Sequence, residues 1–289
     1  MRSFIFSLFT LLSVNGFSQT GISKPLRHFM QAGPSPVNET QYGNNPKAGY
    51  YVNAGDAKIY YEVYGMGKPI VILHGGIFGS TYEMFQFIDS LSKKYQVIAV
   101  STRGHGKSTL GTGPITYEQK ANDVMAVINA VTKDSVTILG FSDGGYAGYK
   151  IASMHPERVK KLVVIGATEL YPGLRNFTFD VKQGISLDSV YWKQQLTLMP
   201  EPQRLQEMFT LLGNMYSQLT LGKDFFQTIQ CPVLIMAGDR DSGNPPERVI
   251  STAEMMPHHQ IGIIPNSAHG VFLENFPAVW ACIVPFLNQ

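Results

Sequence analysis

The sequence predicts an α/β fold: a mostly parallel β-sheet with helices on both faces. Short apolar segments typical of buried strands alternate along the chain with amphipathic segments of helical periodicity. The motifs rich in Gly, Ser, Asp or His each follow directly after a predicted strand. Because right-handed crossovers bring the C-terminal ends of parallel strands to one sheet edge, a ligand site is expected at that edge.

Individual segments carry this prediction. The expected strands cover residues 59–64, 69–73, 96–100, 136–139, 159–165, 233–237 and 260–264. Ser80 and Glu83 are spaced as a capping box for a first helix, and Thr116 and Gln119 for a second. Further helices are expected after the Gly-rich turn that follows residue 139, from about residue 246, and as one final helix over about 272–287.

The N-terminus is predicted to be a signal peptide over residues 1–18. Arg2 supplies a positive charge, residues 4–14 form an apolar stretch, and small residues precede a cleavage position before Gln19. The alternative is a membrane anchor, but the stretch is shorter than the ~20 apolar residues that a span needs. Export to the periplasm or the medium, without a stable membrane anchor, is therefore expected.

Three further segments follow. Residues 19–48 are rich in Gly, Pro, Asn, Ser and Gln without periodicity, which indicates an N-terminal arm or linker. Residues 49–289 are expected to form the α/β domain, interrupted by an insertion over about 168–223. The insertion is rich in aromatic and Met side chains, which favours a helical cap over the site. The alternative is a surface excursion whose aromatic side chains pack only against each other.

Composition narrows the classes of partner and cofactor. The chain has 289 residues, is 44% hydrophobic and 15% charged, and has a formal net charge of +2. These values describe a globular protein, and the scattered basic residues do not predict nucleic-acid binding. The only cysteines, Cys231 and Cys282, lack a His or Cys neighbour at metal-ligand spacing. Neither a metal nor a cofactor is expected, and the two thiols are compatible with a disulfide or with free buried thiols.

The segment Gly140-Phe141-Ser142-Asp143-Gly144 fits the nucleophile elbow G-x-S-x-G. It lies between a predicted strand and a predicted helix. Such a turn strains the Ser backbone and exposes its hydroxyl, and glycines on either side avoid a clash between strand and helix. The following helix N-terminus favours developing negative charge. Ser142 is therefore the expected nucleophile.

A serine nucleophile needs a base, and the base needs a carboxylate that orients it. His269 follows the last predicted strand, whereas His74 and His105 lie in Gly-rich loops that suggest structural roles. The carboxylate is expected after the next-to-last strand, where Asp239 and Asp241 are both candidates. Asp241 is preferred because the loop must project past the strand end before its carboxylate reaches back to the imidazole.

Two backbone N–H groups are needed to bind the oxyanion of an acyl-transfer reaction. One is expected from Asp143, directly after the nucleophile. The other is expected from the loop His74-Gly75-Gly76-Ile77, with Gly76 as the donor. The side chain of Asp143 has no predicted role beyond shaping the turn.

Together with Arg103-Gly104-His105-Gly106-Lys107-Ser108, these motifs resemble the α/β-hydrolase superfamily from about Tyr50 to the C-terminus. The elbow Ser142-Asp143-Gly144-Gly145 is similar to that of biphenyl-hydrolase-like and valacyclovirase-type esterases and bacterial carboxylesterases. The resemblance implies a Ser-His-Asp mechanism, a mobile cap and no cofactor, and supports Asp241 over Asp239. Ser101 departs from the Asp that many relatives carry there, which puts only local loop packing in doubt, and the insertion matches no subfamily securely.

Several functions remain open from the sequence. Hydrolysis of a carboxylic ester or similar acyl compound with an apolar or aromatic portion is the leading hypothesis, and serine at the elbow argues against enzymes with a carboxylate nucleophile. An aminopeptidase or amidase would need an anionic cluster, for which the insertion offers Glu169, Asp180, Asp188, Glu201 and Glu207. Lactonase, C–C hydrolase and perhydrolase activities are also compatible with the sequence. A ligand-binding protein on the same fold is the alternative from another class.

Overall fold

A computed structural model describes residues 25–34, 40–174 and 178–289. The expected signal peptide lies outside these residues, as does Phe177 of the insertion. No helix in these three ranges is long and apolar enough to cross a membrane. Within them, Cys231 and Cys282 are both partly buried free thiols.

One sheet of eight strands forms the centre of the molecule, in the order β1-β2-β4-β3-β5-β6-β7-β8. Strand β2 pairs antiparallel with β1 and β4, and all other neighbours are parallel. The strands are β1 Gly49–Ala54, β2 Ala57–Tyr64, β3 Lys68–Leu73, β4 Tyr95–Val100, β5 Val136–Phe141, β6 Val159–Ile165, β7 Val233–Gly238 and β8 His259–Ile264. The predicted fold class, the α/β-hydrolase fold with a mostly parallel sheet, is confirmed.

Helices cover both faces of this sheet, because alternate residues of each buried strand point to opposite sides. Helices α2 and α3 pack on one face and α1 and α10 on the other. The helices are α1 Phe85–Leu91, α2 Tyr117–Val131, α3 Asp143–Met154, α4 Val181–Leu187, α5 Ser189–Leu198, α6 Leu205–Gln218, α7 Lys223–Phe226, α8 Pro246–Glu254, α9 Val271–Glu274 and α10 Phe276–Asn288. The Thr116 cap of α2 is confirmed, since its side chain accepts a hydrogen bond from the Gln119 amide at 3.0 Å.

Two helix predictions were wrong in detail. Only half of the predicted capping box forms, because Glu83 accepts the Ser80 amide whereas the Ser80 side chain makes no capping hydrogen bond. The chain then passes through a 3₁₀ turn, Thr81–Met84, before α1. The predicted final helix is two helices, because Asn275 starts α10 by accepting a hydrogen bond from the Ala278 amide at 3.2 Å. Strand β1 was not predicted as an element of its own.

The segment between β6 and β7 contains α4 to α7 and is called the insertion below. Its two ends meet in a short antiparallel bridge between Leu170 and Leu221. The bridge lies just inside the boundaries expected for the insertion, residues 168–223. Buried aromatic side chains hold its helices together, among them Trp192 and Phe209 with ring centroids 5.4 Å apart.

Candidate active site

Ser142 lies between β5 and α3 with φ 51° and ψ −113°, a conformation that L-residues rarely adopt. The flanking glycines explain how this turn is tolerated. A Cβ at Gly140 would collide with the Gly144 carbonyl, and a Cβ at Gly144 would collide with the Leu73 carbonyl. The sharp turn of strand into helix therefore depends on both glycines, as the pentapeptide pattern suggests, and it holds the Ser142 hydroxyl above the sheet edge.

A chain of hydrogen bonds connects Ser142 to the loops that follow β7 and β8. The Oγ of Ser142 lies 3.0 Å from Nε2 of His269, and Nδ1 of His269 lies 2.7 Å from Oδ2 of Asp241. The imidazole is 45% exposed, whereas the Asp241 carboxylate is almost completely buried. The three residues are 28 to 127 positions apart in sequence, and the common sheet edge brings them together.

Both oxygens of the Asp241 carboxylate accept hydrogen bonds. Its Oδ1 accepts from the amides of Gly243 and Asn244 at 3.0 and 3.1 Å, and its Oδ2 accepts from Nδ2 of Asn244 at 2.9 Å. Burial by itself raises the pKa of Asp241, but the hydrogen bonds and the imidazole outweigh burial and lower the pKa below its usual value. Asn244 was not singled out from the sequence, since the Asx turn that an Asp forms with the amide two residues on would have indicated only Gly243.

The Asp239 carboxylate has a different partner from that of Asp241. Its Oδ1 accepts the Ser267 amide at 3.2 Å and so ties the loop after β7 to the loop after β8. Arg240 bonds to Asn266 and not to either aspartate. Of the two candidate carboxylates, the structure brings only Asp241 to the imidazole.

The loop after β3 leaves one of three consecutive amides available. The Gly75 amide donates to Oε1 of Glu83 at 2.6 Å, and the Ile77 amide donates to the Tyr216 hydroxyl. Among the described residues, no protein acceptor is found for the amides of Gly76 and Asp143. Both residues line the same cavity as Ser142, as the position of an oxyanion site requires.

The side chain of Asp143 has a partner that sequence reasoning missed. Its carboxylate is buried, forms an ion pair with the buried Nζ of Lys120, and accepts the Tyr117 hydroxyl at 2.8 Å. Burial by itself raises the pKa of Asp143. The opposing effects of Lys120 and Tyr117 are larger together, so the pKa lies below its usual value. The Asp143 side chain thus connects the elbow to α2. Lys120 lies on the buried side of an amphipathic helix. A charged residue at such a position was the signal in the sequence that could have indicated a buried ion pair.

Glu83 is a second buried carboxyl beside the cavity. Burial raises its pKa to about 8, even though the Gly75 and Ser80 amides donate to it and lower the pKa. The Gly75 bond fixes the loop that carries Gly76. In the sequence, Glu83 was assigned to a helix cap; its role in this loop depends on how β3 and the 3₁₀ turn pack together.

His74 and His105 are buried beneath this loop, as their assigned structural roles predict. Nδ1 of His74 lies 2.7 Å from the Gly75 carbonyl oxygen, and its Nε2 accepts the Thr102 amide at 3.0 Å. Burial lowers the pKa of His74 to about 4 and that of His105 to about 3, so both are neutral near pH 7. Ser101 bonds to the Thr81 hydroxyl at 2.8 Å, which accounts for its place in the loop.

A mostly apolar cavity of about 580 Å³ lies above Ser142 and His269. Its walls come from the loop after β3, the insertion, the loop after β8 and the N-terminal arm. The principal side chains are Phe29, Met30, Phe78, Tyr146, Leu170, Phe179, Tyr216 and Leu273. No group of three or more His, Cys, Asp or Glu side chains that could hold a metal ion occurs in the part of the chain that the structure describes.

Comparisons with known proteins agree with this fold. The model of the family described as alpha/beta hydrolase fold matches residues 68–197. A RutD protein of Azorhizobium caulinodans, whose name proposes carbamate hydrolysis, is 26% identical over 76% of this chain and 91% of its own length. The serine hydrolase BPHL of Mus musculus is 24% identical over 74% of this chain and 78% of its own length.

Among solved structures, the enol-lactonase of Burkholderia xenovorans superposes with a TM-score of 0.69 at 17% identity. It covers 83% of this chain and 100% of its own. The chain has the α/β-hydrolase fold, and its residues 68–197 match the model of that family. The chain is a hydrolase of this fold, and its relatives differ in the substrates that their names give.

Proposed function

We propose that the protein is a serine hydrolase that cleaves a carboxylic ester or a similar acyl compound, with Ser142, His269 and Asp241 as its catalytic triad. The observation that carries this proposal is the continuous hydrogen-bonded chain from the Ser142 hydroxyl through both imidazole nitrogens to the buried Asp241 carboxylate, at 3.0 and 2.7 Å. These distances lie within the range at which a base takes a proton from a nucleophile.

In this proposal, Oγ of Ser142 attacks the substrate carbonyl carbon and transfers its proton to Nε2 of His269. The amides of Gly76 and Asp143 donate to the resulting oxyanion. The tetrahedral intermediate collapses, the leaving alcohol takes the proton from His269, and the acyl group stays on Ser142. Water then attacks the acyl-enzyme with His269 accepting its proton, and a second collapse releases the acid and restores the Ser142 hydroxyl. Asp241 keeps Nδ1 protonated throughout.

The cavity supports an acyl substrate with an apolar or aromatic portion, because its walls are mainly aromatic and aliphatic side chains. In the same proposal, the insertion acts as a cap, since Leu170, Phe179 and Tyr216 of this segment contribute to those walls.

An aminopeptidase or amidase on the same machinery is the second candidate, but the acidic residues expected for it are committed elsewhere. Glu201 and Glu207 pair with Arg204, and Asp188 pairs with Arg27. Asp180 caps α4, and Glu169 bonds to Ser251. None of the five lines the described cavity. A lactonase remains an alternative, in keeping with the name of the Burkholderia xenovorans structure.

A fluorophosphonate tests this proposal directly. We expect stoichiometric labelling of Ser142 in the wild-type protein, and loss of labelling and ester hydrolysis in Ser142→Ala with an unchanged circular dichroism spectrum. A panel of nitrophenyl esters beside aminoacyl nitroanilides and lactones then separates the three hydrolase candidates.

A ligand-binding protein on this fold would behave differently. It would show no turnover with any acyl substrate, and Ser142→Ala would retain ligand affinity. Labelling of another serine, or full activity of the alanine variant, would refute the assignment of the nucleophile.

A further inference from the structure

The N-terminal arm has no helix or strand over residues 25–34, yet it is fastened to the insertion. The side chain of Gln194, on α5, makes two hydrogen bonds to it. The Arg27 amide donates to Oε1 of Gln194 at 3.1 Å, and Nε2 of Gln194 donates to the Pro25 carbonyl at 2.8 Å. Leu26 is buried in the main body of the protein. The arm therefore has a defined path across α5.

A carboxylate at the start of α5 provides the second attachment. The Arg27 guanidinium lies 3.1 Å from Oδ2 of Asp188, which also accepts the Met30 amide at 2.8 Å. The other oxygen, Oδ1, accepts the Tyr191 amide at 3.0 Å and so caps α5. The Asp188 side chain is only 6% exposed, and a charge at that depth is stabilised by a partner such as Arg27. We call this contact the Arg27–Asp188 clasp.

The clasp holds two apolar side chains at the cavity. The Phe29 ring stacks on Phe78 with centroids 4.5 Å apart and planes 13° apart, and it meets the Tyr191 ring edge-on at 5.5 Å. Phe78 lies in the same loop as Gly76, two residues further on. Phe29 and Met30 both line the cavity that contains Ser142 and His269. Met30 remains 65% exposed, which leaves an apolar side chain uncovered beside the proposed nucleophile.

We propose that residues 27–30 of the arm form a specificity-determining wall of this cavity, held there by the Arg27–Asp188 clasp, and that this wall selects substrates with a large apolar substituent. The proposal rests on the proposed hydrolase function. Its physical basis is apolar contact: a long acyl chain or an aryl group covers Phe29 and Met30 and removes their surfaces from water. A short acyl group, such as acetyl, offers these two side chains much less apolar surface.

Kinetics with matched substrates test the wall in the full-length chain. For Phe29→Ala we expect kcat/KM for p-nitrophenyl octanoate to fall roughly tenfold, mainly through KM, while kcat/KM for the acetate changes less than about twofold. Met30→Ala is expected to act in the same direction with a smaller effect. Met66→Ala is the matched control, because Met66 is 86% exposed in the turn between β2 and β3 and should change neither ester.

The clasp is tested with Arg27→Gln, because changing Asp188 would also remove the cap of α5. We expect the same loss of preference for the octanoate, faster amide hydrogen exchange confined to residues 25–31, and recovery of both in Arg27→Lys. Lys150→Gln is the matched control, since it breaks the partly exposed Lys150–Glu118 ion pair at a site outside the cavity.

The outcomes separate the two proposals. The wall is overturned if Phe29→Ala and Met30→Ala leave the size preference unchanged, or lower the rate equally for small and large esters, in both the acyl series and the alcohol series. A second series of acetate esters with alcohols of increasing size covers the leaving-group side, and a shift in either series supports the wall. If the wild-type protein neither hydrolyses esters nor reacts with a fluorophosphonate at Ser142, the proposed function fails and the wall falls with it.

Discussion

Two carboxylates two residues apart, Asp239 and Asp241, have different surroundings that follow from their places in the loop after β7. Asp239 still lies at the strand end, where its side chain accepts the Ser267 amide at 3.2 Å. Asp241 lies further along the loop and is surrounded by donors from Gly243, Asn244 and His269. A carboxylate is the only side chain of this size that accepts hydrogen bonds on both oxygens, so the Asp241 position depends on its charge state.

Asp241→Asn is therefore expected to reduce kcat for ester hydrolysis at least about a hundredfold. Whichever way the amide is turned, its NH₂ group meets an N–H donor, and the His269 tautomer is no longer held. Asp239→Asn keeps an oxygen for the Ser267 amide and should change kcat less than about threefold. Steady-state kinetics of both variants, with thermal unfolding to verify the fold, distinguish the two residues. The opposite ranking would show that Asp239 is the functional carboxylate.

Glu83 predicts a pH dependence of stability. Burial raises its pKa from 4.5 to about 8, so the folded state binds the proton more tightly than the unfolded state does. Its contribution to stability is fully present below pH 4.5 and declines as pH rises towards 8. The side chain in Glu83→Gln cannot ionise. As pH rises across that window, the free energy of unfolding of this variant should increase relative to that of the wild type by at most about 1.4 kcal/mol per pH unit. Urea unfolding of both proteins at pH 5, 6.5 and 8 measures the difference; parallel stability curves would contradict a raised pKa.

Helices α2 and α3 are joined by a buried ion pair directly beneath the elbow. Lys120 of α2 reaches the Asp143 carboxylate at the first position of α3, and Tyr117 shares that carboxylate. Both charged side chains are almost fully buried. Removing one member of such a pair leaves the other charge without a partner in a medium of low dielectric constant, which costs more than the pair itself contributes.

Lys120→Met is accordingly expected to lower the free energy of unfolding by about 3–5 kcal/mol. The control is Lys150→Met, which removes a partly exposed ion pair with Glu118 on the same two helices and should cost less than about 1 kcal/mol. Chemical denaturation of the two variants provides the comparison. Equal effects would mean that the Lys120–Asp143 pair is hydrated and does not anchor the elbow.

The residues of the site lie close together because the C-terminal ends of the parallel strands all lie at one edge of the sheet. The loop after β3 carries Gly76, the elbow after β5 carries Ser142, and the loops after β7 and β8 carry Asp241 and His269. Strand order places β3, β5, β6, β7 and β8 side by side. Segments far apart in the chain thus converge without any long excursion of the backbone.

Export is expected from the N-terminal segment of the sequence, which lies outside the described residues. We expect processing close to Gln19, because an apolar stretch over residues 4–14 is followed by small residues. N-terminal sequencing of the protein recovered from an exporting host measures the processing site. Recovery of the protein with Met1 still present would contradict export with cleavage.

The wall formed by residues 27–30 could not be foreseen from the sequence. The arm has no hydrophobic periodicity, and its partners in and next to α5 lie between 158 and 169 positions away in the sequence. The same holds for Glu83, whose spacing from Ser80 fitted a helix cap equally well. In both cases the local sequence pattern was compatible with several contact partners. The packing of distant segments decided which of them is contacted.

The sequence by itself determined the strand–helix alternation and the elbow at Ser142, because periodicity and Gly spacing act over a few residues and need no distant partner. It also pointed to Asp241 and His269 as residues that follow strands. Only the tertiary structure decided that these side chains meet at 3.0 and 2.7 Å, that the Gly76 amide has no protein acceptor among the described residues, and that Lys120 and Glu83 are buried. Burial and long-range pairing depend on how the sheet and its loops pack together, and that packing cannot be read from neighbours in the chain.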